Sequence, residues 1–388
     1  MNTLLRKQSR VHSRNRWKEY IRLRNEGEVF TYPSDYLQLK KYEKRKKKKR
    51  LFANNNKRIN DIKLPSKIDF VNNVESIFFV SKQIEEYMQS HIKGNFRIDH
   101  SLISSASIAG MLYLAGQVSR LVVPSNFKIS KKLKYNKHYG LKTADDKLKY
   151  LFYKIGYWQY FGISKPYQVE QTIKDNYFLS IESNHESDIS LLNKIKKFIK
   201  EKVTIFDSYI KEYKFDDAIK EAMGNAIEHA YGDDFLEPGK IKGKWWICGH
   251  YDNIAKTLEL VFYDYGIGIR ESMKTNMGEE AERRLVDKFS DKYINSDADL
   301  IAMAIEGKLS KYKKYKERDR GKGFQRFKDF AKSSGFDCDL TVVSGSGSYK
   351  YLYSDNTKEE HIEKKQLSNN IDGMLIKWKI KIGDGDEK

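Results

Sequence analysis

Apolar residues recur at spacings of three and four through Phe215 to Tyr231, which reads FDDAIKEAMGNAIEHAY. This period predicts a helix that buries one face. The buried face would carry Ile219, Ala222, Met223, Ala226, Ile227 and Ala230. A separate polar stripe holds Glu221, Asn225 and His229, each four residues after the last, so these side chains follow one another along the helix.

Apolar runs further along the chain predict strands. Lys244 to Tyr251 contains WWICGHY, and Thr257 to Tyr263 contains LELVFY. Asp252-Asn253 between them indicates a turn, so the two runs are predicted to form an antiparallel pair. Closing strands are expected at Asp339 to Ser344 and Met374 to Ile382.

Two segments near these strands allow more than one interpretation. Gly345-Ser346-Gly347 resembles a phosphate loop, but its place between strands favours a turn. Arg270 to Asp319 is polar and largely helical in pattern, with a candidate helix at Asp297 to Tyr312. A polar insertion of this length in a compact domain is expected to be functional or mobile.

Before residue 166 the pattern alternates between short strands and helices. Arg97 to Arg120 predicts a short strand, a Ser-rich turn and a helix. Asp146 to Gly162 predicts an aromatic amphipathic helix that ends at its glycine. This alternation favours a small α/β layer over residues 67–165.

The net charge of +20 is concentrated at the N-terminus. Residues 1–66 hold 20 Lys or Arg against 6 Asp or Glu, so this segment carries +14 of that charge. Such a block binds polyanions by releasing their counterions, which makes nucleic acid the first partner to expect. A solvated, disordered arm accounts for the composition equally well. Interleaved aromatic residues such as Trp17 and Tyr20 favour packing against a partner protein.

Composition also excludes several classes of protein. No run approaches the ~20 apolar residues that span a bilayer, and the polar, basic start lacks a secretory signal. Cys248 and Cys338 are the only cysteines, too few for a disulfide framework or a zinc site. We therefore expect a soluble, cytoplasmic protein with no membrane partner.

The residue types in the polar stripe favour chemistry over a solvated helix face. An exposed face usually carries Glu-to-Lys pairs at this spacing, whereas this one carries a carboxylate, an amide and an imidazole. Gly224 beside the stripe costs about 1 kcal/mol of helix stability relative to Ala. A carboxylate can take a proton from water or a hydroxyl, and an amide oxygen can ligate Mg2+.

Three motifs follow one another in the C-terminal part. Glu-x-x-x-Asn lies on the predicted helix, Asp-x-Gly-x-Gly begins at Asp264 after a strand, and RGKGF at Arg320 to Phe324 precedes an amphipathic segment. This ordered set resembles the GHKL or Bergerat-fold ATPases, which include gyrase B subunits, mismatch-repair MutL proteins, histidine kinases and anti-sigma-factor serine kinases. The helix is most similar to that of the anti-sigma serine kinases, whose motif continues to a His followed by a small residue and Tyr.

The resemblance implies that the polar stripe binds Mg-ATP. Glu221 would be the general base that polarises the attacking water, or the substrate hydroxyl in a kinase. Asn225 would be the Mg2+ ligand that bridges the phosphates. His229 would support the phosphate side, with a packed core histidine as the alternative.

The resemblance also implies an adenine pocket at the second motif. Asp264 would accept the N–H of the adenine amino group, and Gly266 and Gly268 would let the backbone approach the nucleotide where a Cβ would clash. The family's last strand often opens with Gly-Thr, whose hydroxyl helps to hold this aspartate. Here the corresponding pair is Gly373-Met374, which departs from the family pattern.

The third motif would cradle phosphate at the end of an ATP lid. The lid would span residues 270–320 and reorder with nucleotide. Backbone amides before a helix suit an anion, and basic side chains would add charge. The residues assigned to this nucleotide-binding turn are Arg320, Gly321, Lys322, Gly323 and Phe324.

The N-terminal layer weakly resembles the STAS-like domains that bacteria pair with GHKL ATPases. The strand, Ser-rich turn and helix at 97–120 carry this resemblance. In the anti-sigma antagonists of that fold, the partner kinase phosphorylates a serine at this turn. Ser104, Ser105 and Ser107 occupy the region, but the family's Asp-Ser-Ser-Gly is not reproduced. Capping of the following helix is the preferred interpretation.

Together these features predict an α/β protein with a basic arm at 1–66, a STAS-like domain at 67–165 and a Bergerat-type sandwich at 166–388, with a mixed sheet and helices on one face. The expected function is ATP hydrolysis with Mg2+, in which lid ordering controls a partner or nucleic acid, and a homodimer is among the expected assemblies. A bacterial regulatory or phage-defence role follows by analogy alone. The alternatives are an anti-sigma-type serine kinase and a nucleic-acid-binding scaffold with a degenerate ATP module.

Overall fold

The structure, a computed structural model, describes residues 59–70, 74–90, 95–121, 138–139, 146–161, 163, 176–202, 212–229, 242–277, 296–308, 323–333 and 335–382. The chain divides into two units, Met1–Asn60 with Lys93–Phe96 and Asp61–Ile92 with Arg97–Lys388. The predicted basic arm and the predicted boundary near residue 165 lie almost wholly outside the described residues. All side-chain contacts given below belong to the second unit.

The described strands are β1 (Ile59–Lys63), β2 (Lys67–Ile68), β3 (Asn95–Asp99), β4 (Ser105–Ala106), β5 (His138–Tyr139), β6 (Asn176–Asn184), β7 (Trp245–Asp252), β8 (Thr257–Asp264), β9 (Asp337–Tyr353) and β10 (Glu360–Lys381). The described helices are α1 (Val74–Ser90), α2 (Ile108–Arg120), α3 (Asp146–Lys154), α4 (Tyr157–Tyr160), α5 (Ile189–Lys202), α6 (Glu212–Gly224), a π-helix (Asn225–His229), α7 (Gly268–Met277), α8 (Asp297–Ile305) and α9 (Gly323–Ser333). Among these described helices, none has the length and apolar character needed to cross a membrane.

The largest sheet has five strands in the order β6-β7-β8-β10-β9. Each pairing between these strands is antiparallel. The predicted hairpin of β7 and β8 is confirmed, with Trp245 opposite Asp264 at one end and Asp252 opposite Thr257 at the turn. The expectation of a mixed sheet is wrong for these five strands, because β7–β8 and β9–β10 are joined by short connections that reverse the chain. The protein is α/β, and parallel pairing occurs between β2 and β4 and, in the three-stranded sheet β1-β3-β5, between β3 and β5.

One face of this sheet packs against α5, α6, α8 and α9. Alternate residues of a strand point to the same side, and in β8 these are Leu258, Leu260 and Phe262. The predicted apolar stripe of α6 is confirmed, since its members up to Ala226 are fully buried in this core and Ile227 packs against it. The helix is regular only as far as Gly224 and then continues as the π-helix.

The opposite face of the sheet is covered as well. The ring of Tyr263 lies 5.0 Å from that of Tyr113 in α2, and its hydroxyl accepts a hydrogen bond from Gln117 Nε2 at 2.8 Å. A Cβ on Gly116 would lie 2.5 Å from Tyr263 Cε1, so a glycine is needed for this approach of α2. The helices α5, α6, α8 and α9 of residues 166–388 thus pack on one face, as expected for this part of the chain, and the second face is covered by α2 of the layer before residue 166. The runs WWICGHY and LELVFY are apolar on both sides, and such strands are stable only when both sides are buried.

The Ser-rich turn before α2 is used for local hydrogen bonding. Ser107 is the N-cap, and its hydroxyl accepts from Gly110 N at 3.1 Å. The Ser104 hydroxyl donates to the Ser66 carbonyl at 3.0 Å, and Ser105 pairs with Lys67 between β4 and β2. The strand, turn and helix predicted over 97–120 are confirmed, and so is the capping interpretation for Ser107.

The aromatic helix predicted over 146–162 is interrupted. α3 ends at Lys154 and α4 begins at Tyr157, because Gly156 between them has a φ of 77°, a left-handed conformation that ends a helix. Phe152, Tyr157 and Trp158 are nevertheless buried together, with ring centroids 5.1 to 5.7 Å apart. The buried aromatic face was therefore predicted correctly, and the single helix was not.

β9 continues through Gly345-Ser346-Gly347, with an irregularity in its pairing to β10 at Gly345, so the predicted turn at this tripeptide is wrong. The glycines instead allow α8 to lie against the strand: a Cβ on Gly347 would be 2.3 Å from Ala298 N. Asp297 at the start of α8 accepts hydrogen bonds from Ser346 N at 2.8 Å and from Ser346 Oγ at 2.7 Å. α8, in the middle of the predicted lid, is thus a buried helix of the core.

Candidate functional site

Glu221 lies in the last turn of α6, with its side chain about one-fifth exposed (22%). Arg326 Nη1 of α9 donates a hydrogen bond to its Oε2 at 2.9 Å. Burial raises the pKa of Glu221 above its usual value. The positive charge of Arg326 opposes this rise and the negative charge of Glu228 adds to it. An interaction with the Asn225 side-chain amide also lowers the pKa of Glu221. A carboxylate whose pKa is raised is a better proton acceptor at neutral pH than an ordinary surface carboxylate.

Gly323, the first residue of α9, lies directly against this carboxylate. A Cβ on Gly323 would be only 1.6 Å from Glu221 Oε1 and 2.3 Å from its Cδ. The first turn of a helix has free backbone N–H groups and a positive dipole end. The structure thus brings residues of the first and third motifs together, although about a hundred positions separate them in the sequence.

Asn225 begins the π-helix one turn after Glu221. Its Nδ2 is buried and makes no hydrogen bond of standard geometry within the described residues, although the amide is close enough to Glu221 to lower the pKa of that carboxylate. A buried N–H donor without a well-placed acceptor costs about 1–3 kcal/mol, and in native proteins it often marks the place of a ligand that supplies an acceptor. Single π-turns inside helices occur frequently at functional sites. The π-helical backbone and the buried amide of Asn225 therefore both indicate a functional site at this residue.

The π-helix lies at the same end of the sheet as Asp264. A Cβ on Gly243, two residues before β7, would be 3.7 Å from the Cα of Ile227 in the π-helix. Trp245, the first residue of β7, is paired with Asp264, the last residue of β8. The first and second motifs therefore lie at the same end of the sheet.

Asp264 is buried (2% exposed), and its Oδ1 accepts a hydrogen bond from Gly266 N at 2.9 Å. Gly268 follows with a φ of 77° and starts α7. A side chain at Gly268 would be strained by this φ and would also contact Ser344 Oγ at 3.0 Å. The second motif thus forms a tight turn that leads directly into a helix N-terminus.

The middle of β10, just after its register shift at Ile371, holds this turn in place. Met374 is paired with Asp264, and a Cβ on Gly373 would lie 2.0 Å from the Asp264 carbonyl oxygen. Ser344, paired with Met374 across β9, accepts a hydrogen bond from Ile269 N and donates one to the Gly373 carbonyl, both at 3.0 Å. The hydroxyl that ties Gly268-Ile269 to Gly373-Met374 therefore comes from Ser344.

A cavity of about 230 Å³ opens beside the second motif. Gly266, Gly268 and Gly373 are among the described residues that line it, whereas Glu221 and Asn225 are not. The described site residues thus form two groups at one end of the sheet, one around Glu221 and one around Asp264. The cavity is lined by glycines of the second group, and Asp264 itself is not among its lining residues.

The remaining predicted site residues are only partly described. Arg320, Gly321 and Lys322 and the side chain of His229 lie outside the described residues. Phe324 packs partly buried against the core, and its ring lies 5.4 Å from that of Phe327. These contacts indicate a packing role for Phe324.

Arg326 and Ser344 were not among the predicted site residues. Arg326 lies three positions after Gly323, on the same side of α9, so the sequence RGKGFQR contained a signal for it. Ser344 is the last residue of a predicted strand, and its pairing with Met374 depends on a strand register that the sequence pattern does not define.

Within the described part of the chain, no three or more His, Cys, Asp or Glu residues are grouped so that they could hold a metal ion. Mg2+ in nucleotide sites is bound through one or two protein groups together with phosphates and water, so a lone Asn225 oxygen fits this mode of binding. No protein-family model matches this sequence, and no curated protein has a significant match to it.

Proposed function

We propose that the protein binds Mg-ATP in a GHKL-type site and hydrolyses it, with Glu221 as the general base. The observation that supports this most is the arrangement around Glu221. Its largely buried carboxylate, whose pKa is raised, lies one turn before the buried Nδ2 of Asn225 and directly against the first turn of α9 at Gly323.

Glu221 would take a proton from the attacking water as the water oxygen forms a bond to the γ-phosphorus. The bond between that phosphorus and the bridging oxygen breaks, and the electron pair leaves with ADP. The proton then passes from Glu221 to the released phosphate or to solvent, which restores the base.

The other groups would bind and orient the nucleotide. Asn225 would hold Mg2+, which supplies neutralisation of the phosphate charge. The free amides at the start of α9 would bind phosphate, and the turn at Asp264 would contact the adenine. Control of a partner protein or nucleic acid by this ATPase, in a bacterial regulatory or phage-defence system, is the part of the proposal that rests on the sequence resemblance alone.

The test is ATP binding and turnover by the full chain and by Glu221→Gln. This substitution keeps the shape of the side chain and an oxygen for Arg326, but it removes the proton acceptor. We expect turnover to fall roughly 10²- to 10⁴-fold, while the Kd for ATP stays within about twofold of the wild-type value. Asp217→Asn is the matched control, because Asp217 lies one turn earlier on the same helix and is exposed.

Mass spectrometry after incubation with ATP separates hydrolysis from the serine-kinase alternative. ADP production with unmodified protein supports hydrolysis, and transfer of phosphate to serine favours the kinase. The proposal fails if wild type neither binds nor turns over ATP. It also fails if Glu221→Gln and Asp217→Asn lose turnover equally.

A further inference from the structure

Helix α9 is packed firmly in the core, so side chains on its first turns are held in fixed positions. Phe327 and Phe330 are fully buried in the core of the sheet. Trp378 Nε1 of β10 donates a hydrogen bond to the Phe327 carbonyl at 3.2 Å, and the Phe330 ring lies 5.4 Å from that of Phe215 in α6. α6 and α9 are therefore packed directly on each other and on the sheet, so side chains that meet between them keep a defined separation.

Residues of α9 contact both oxygens of the Glu221 carboxylate. Oε2 accepts the hydrogen bond from Arg326 Nη1 at 2.9 Å, and Oε1 lies so close to Gly323 that a Cβ there would clash at 1.6 Å. A glutamate side chain has several rotatable bonds and would otherwise sample several rotamers. The guanidinium, a planar donor that is always charged, is suited to fixing a carboxylate in one orientation.

We infer that Arg326 is a positioning residue for Glu221: it holds the carboxylate in the rotamer that presents Oε1 against Gly323 at the start of α9. This inference rests on the proposed hydrolysis, in which Glu221 must meet the attacking water. It adds a residue that the three sequence motifs do not include. Arg326 acts through Glu221, so its loss should affect turnover and leave ATP binding intact.

Two other roles for Arg326 give different results. The Arg326 side chain is 40% exposed, and exposed ion pairs contribute little to stability, so a purely structural pair would leave turnover unchanged. A direct contact with the ATP phosphates would weaken ATP binding when the charge is removed. The separation of kcat from KM and from the ATP Kd distinguishes these roles.

The experiment compares full-length wild type with Arg326→Gln, Arg326→Lys and Lys332→Gln. Lys332 lies on the same helix and pairs with Glu360 at 2.8 Å. Its substitution therefore removes the same charge and an ion pair in which Glu221 takes no part. We expect Arg326→Gln to lower kcat roughly 10- to 100-fold, with KM and the ATP Kd from calorimetry within about twofold. Arg326→Lys should recover part of this loss, and Lys332→Gln should match wild type.

The double variant Glu221→Gln with Arg326→Gln completes the test. It should be no slower than Glu221→Gln alone, because two residues that act as one unit are not additive. An unchanged kcat in Arg326→Gln, a raised KM and Kd, or additive losses would each overturn the inference while leaving the ATPase in place. Wild type without turnover would overturn the proposed function and this inference with it.

Discussion

At the scale of single residues, Gly323 offers the sharpest test of the site. A methyl group there would lie 1.6 Å from Glu221 Oε1, so in Gly323→Ala the carboxylate must rotate away. Because the displaced atom is the end of a flexible side chain, we expect the fold to persist. Turnover should fall roughly 10- to 100-fold, as expected for a displaced catalytic group. Steady-state kinetics together with a thermal unfolding scan measure both effects.

Gly224→Ala is the matched control for this glycine. A Cβ on Gly224 would have no atom within 4 Å, and alanine in a helix is about 1 kcal/mol more favourable than glycine. We therefore expect this variant to unfold at a higher denaturant concentration and to keep wild-type turnover. Wild-type turnover in Gly323→Ala would show that the observed position of the Glu221 carboxylate is not needed.

The residues of the site differ in how far the sequence could reveal them. The stripe of Glu221 and Asn225 is local, because four residues make one helical turn, and it was predicted. The contact between Glu221 and Arg326 joins positions 105 residues apart, and no local pattern determines such a pair. The missing partner of Asn225 Nδ2 is likewise a property of the packed structure and has no sequence signal.

At the scale of secondary-structure elements, the attachment of α8 to β9 gives a prediction about pH. Burial alone would raise the pKa of Asp297, but hydrogen bonds from Ser346 and Arg270 outweigh it and hold that pKa below its usual value. The Arg270 Nε–Asp297 Oδ1 distance is 2.6 Å. A carboxylate whose pKa is lower in the folded state adds stability above its unfolded pKa of about 3.9, and this stability is lost as the pH falls through the folded pKa.

Asp297→Asn should therefore lower the free energy of unfolding at pH 7 by about 1–3 kcal/mol, and the difference from wild type should shrink as the pH falls below about 4. Denaturant unfolding at about pH 7, 5 and 3, which lie on both sides of the usual aspartate pKa, measures both effects. Glu363→Gln, on an exposed position of β10, is the control and should match wild type at each pH. A difference that stays constant with pH would argue against an ionised Asp297 in this role.

Element types were predictable where one period dominates, and element ends were less so. The 3.6-residue period of α6 and the apolar runs of β7 and β8 led to correct assignments. The change from α-helix to π-helix at Asn225 and the break at Gly156 depend on tertiary packing and on one backbone conformation. The glycines at 345 and 347 suggested a turn. They are instead needed because the start of α8 lies against the strand, a long-range contact that the sequence does not reveal.

At the scale of the whole molecule, the layer before residue 166 is part of the structure that supports the site. Arg120 Nη1 of α2 donates a hydrogen bond to Asp372 Oδ2 at 3.1 Å, and Asp372 immediately precedes Gly373, which lies against Asp264. The Tyr263 hydroxyl, next to Asp264 in β8, donates to the Asp372 carbonyl at 3.1 Å. Helix α2 therefore contacts the middle of β10, next to Gly373, on the opposite face of the sheet from Glu221.

This arrangement predicts that residues 166–388 do not form a stable protein alone. Removal of α1 to α4 would expose the second face of the sheet, where Trp246, Cys248, Val261 and Tyr263 are fully buried in the full chain. A continuous apolar surface of this kind drives aggregation. We expect the fragment to aggregate or to bind a hydrophobic dye, and the full chain to show a single cooperative unfolding transition under the same conditions. A monomeric fragment that unfolds cooperatively and binds ATP as well as the full chain would show that the predicted boundary at residue 166 separates two independent domains, and that the contacts of α2 with β8 and β10 do not support the site.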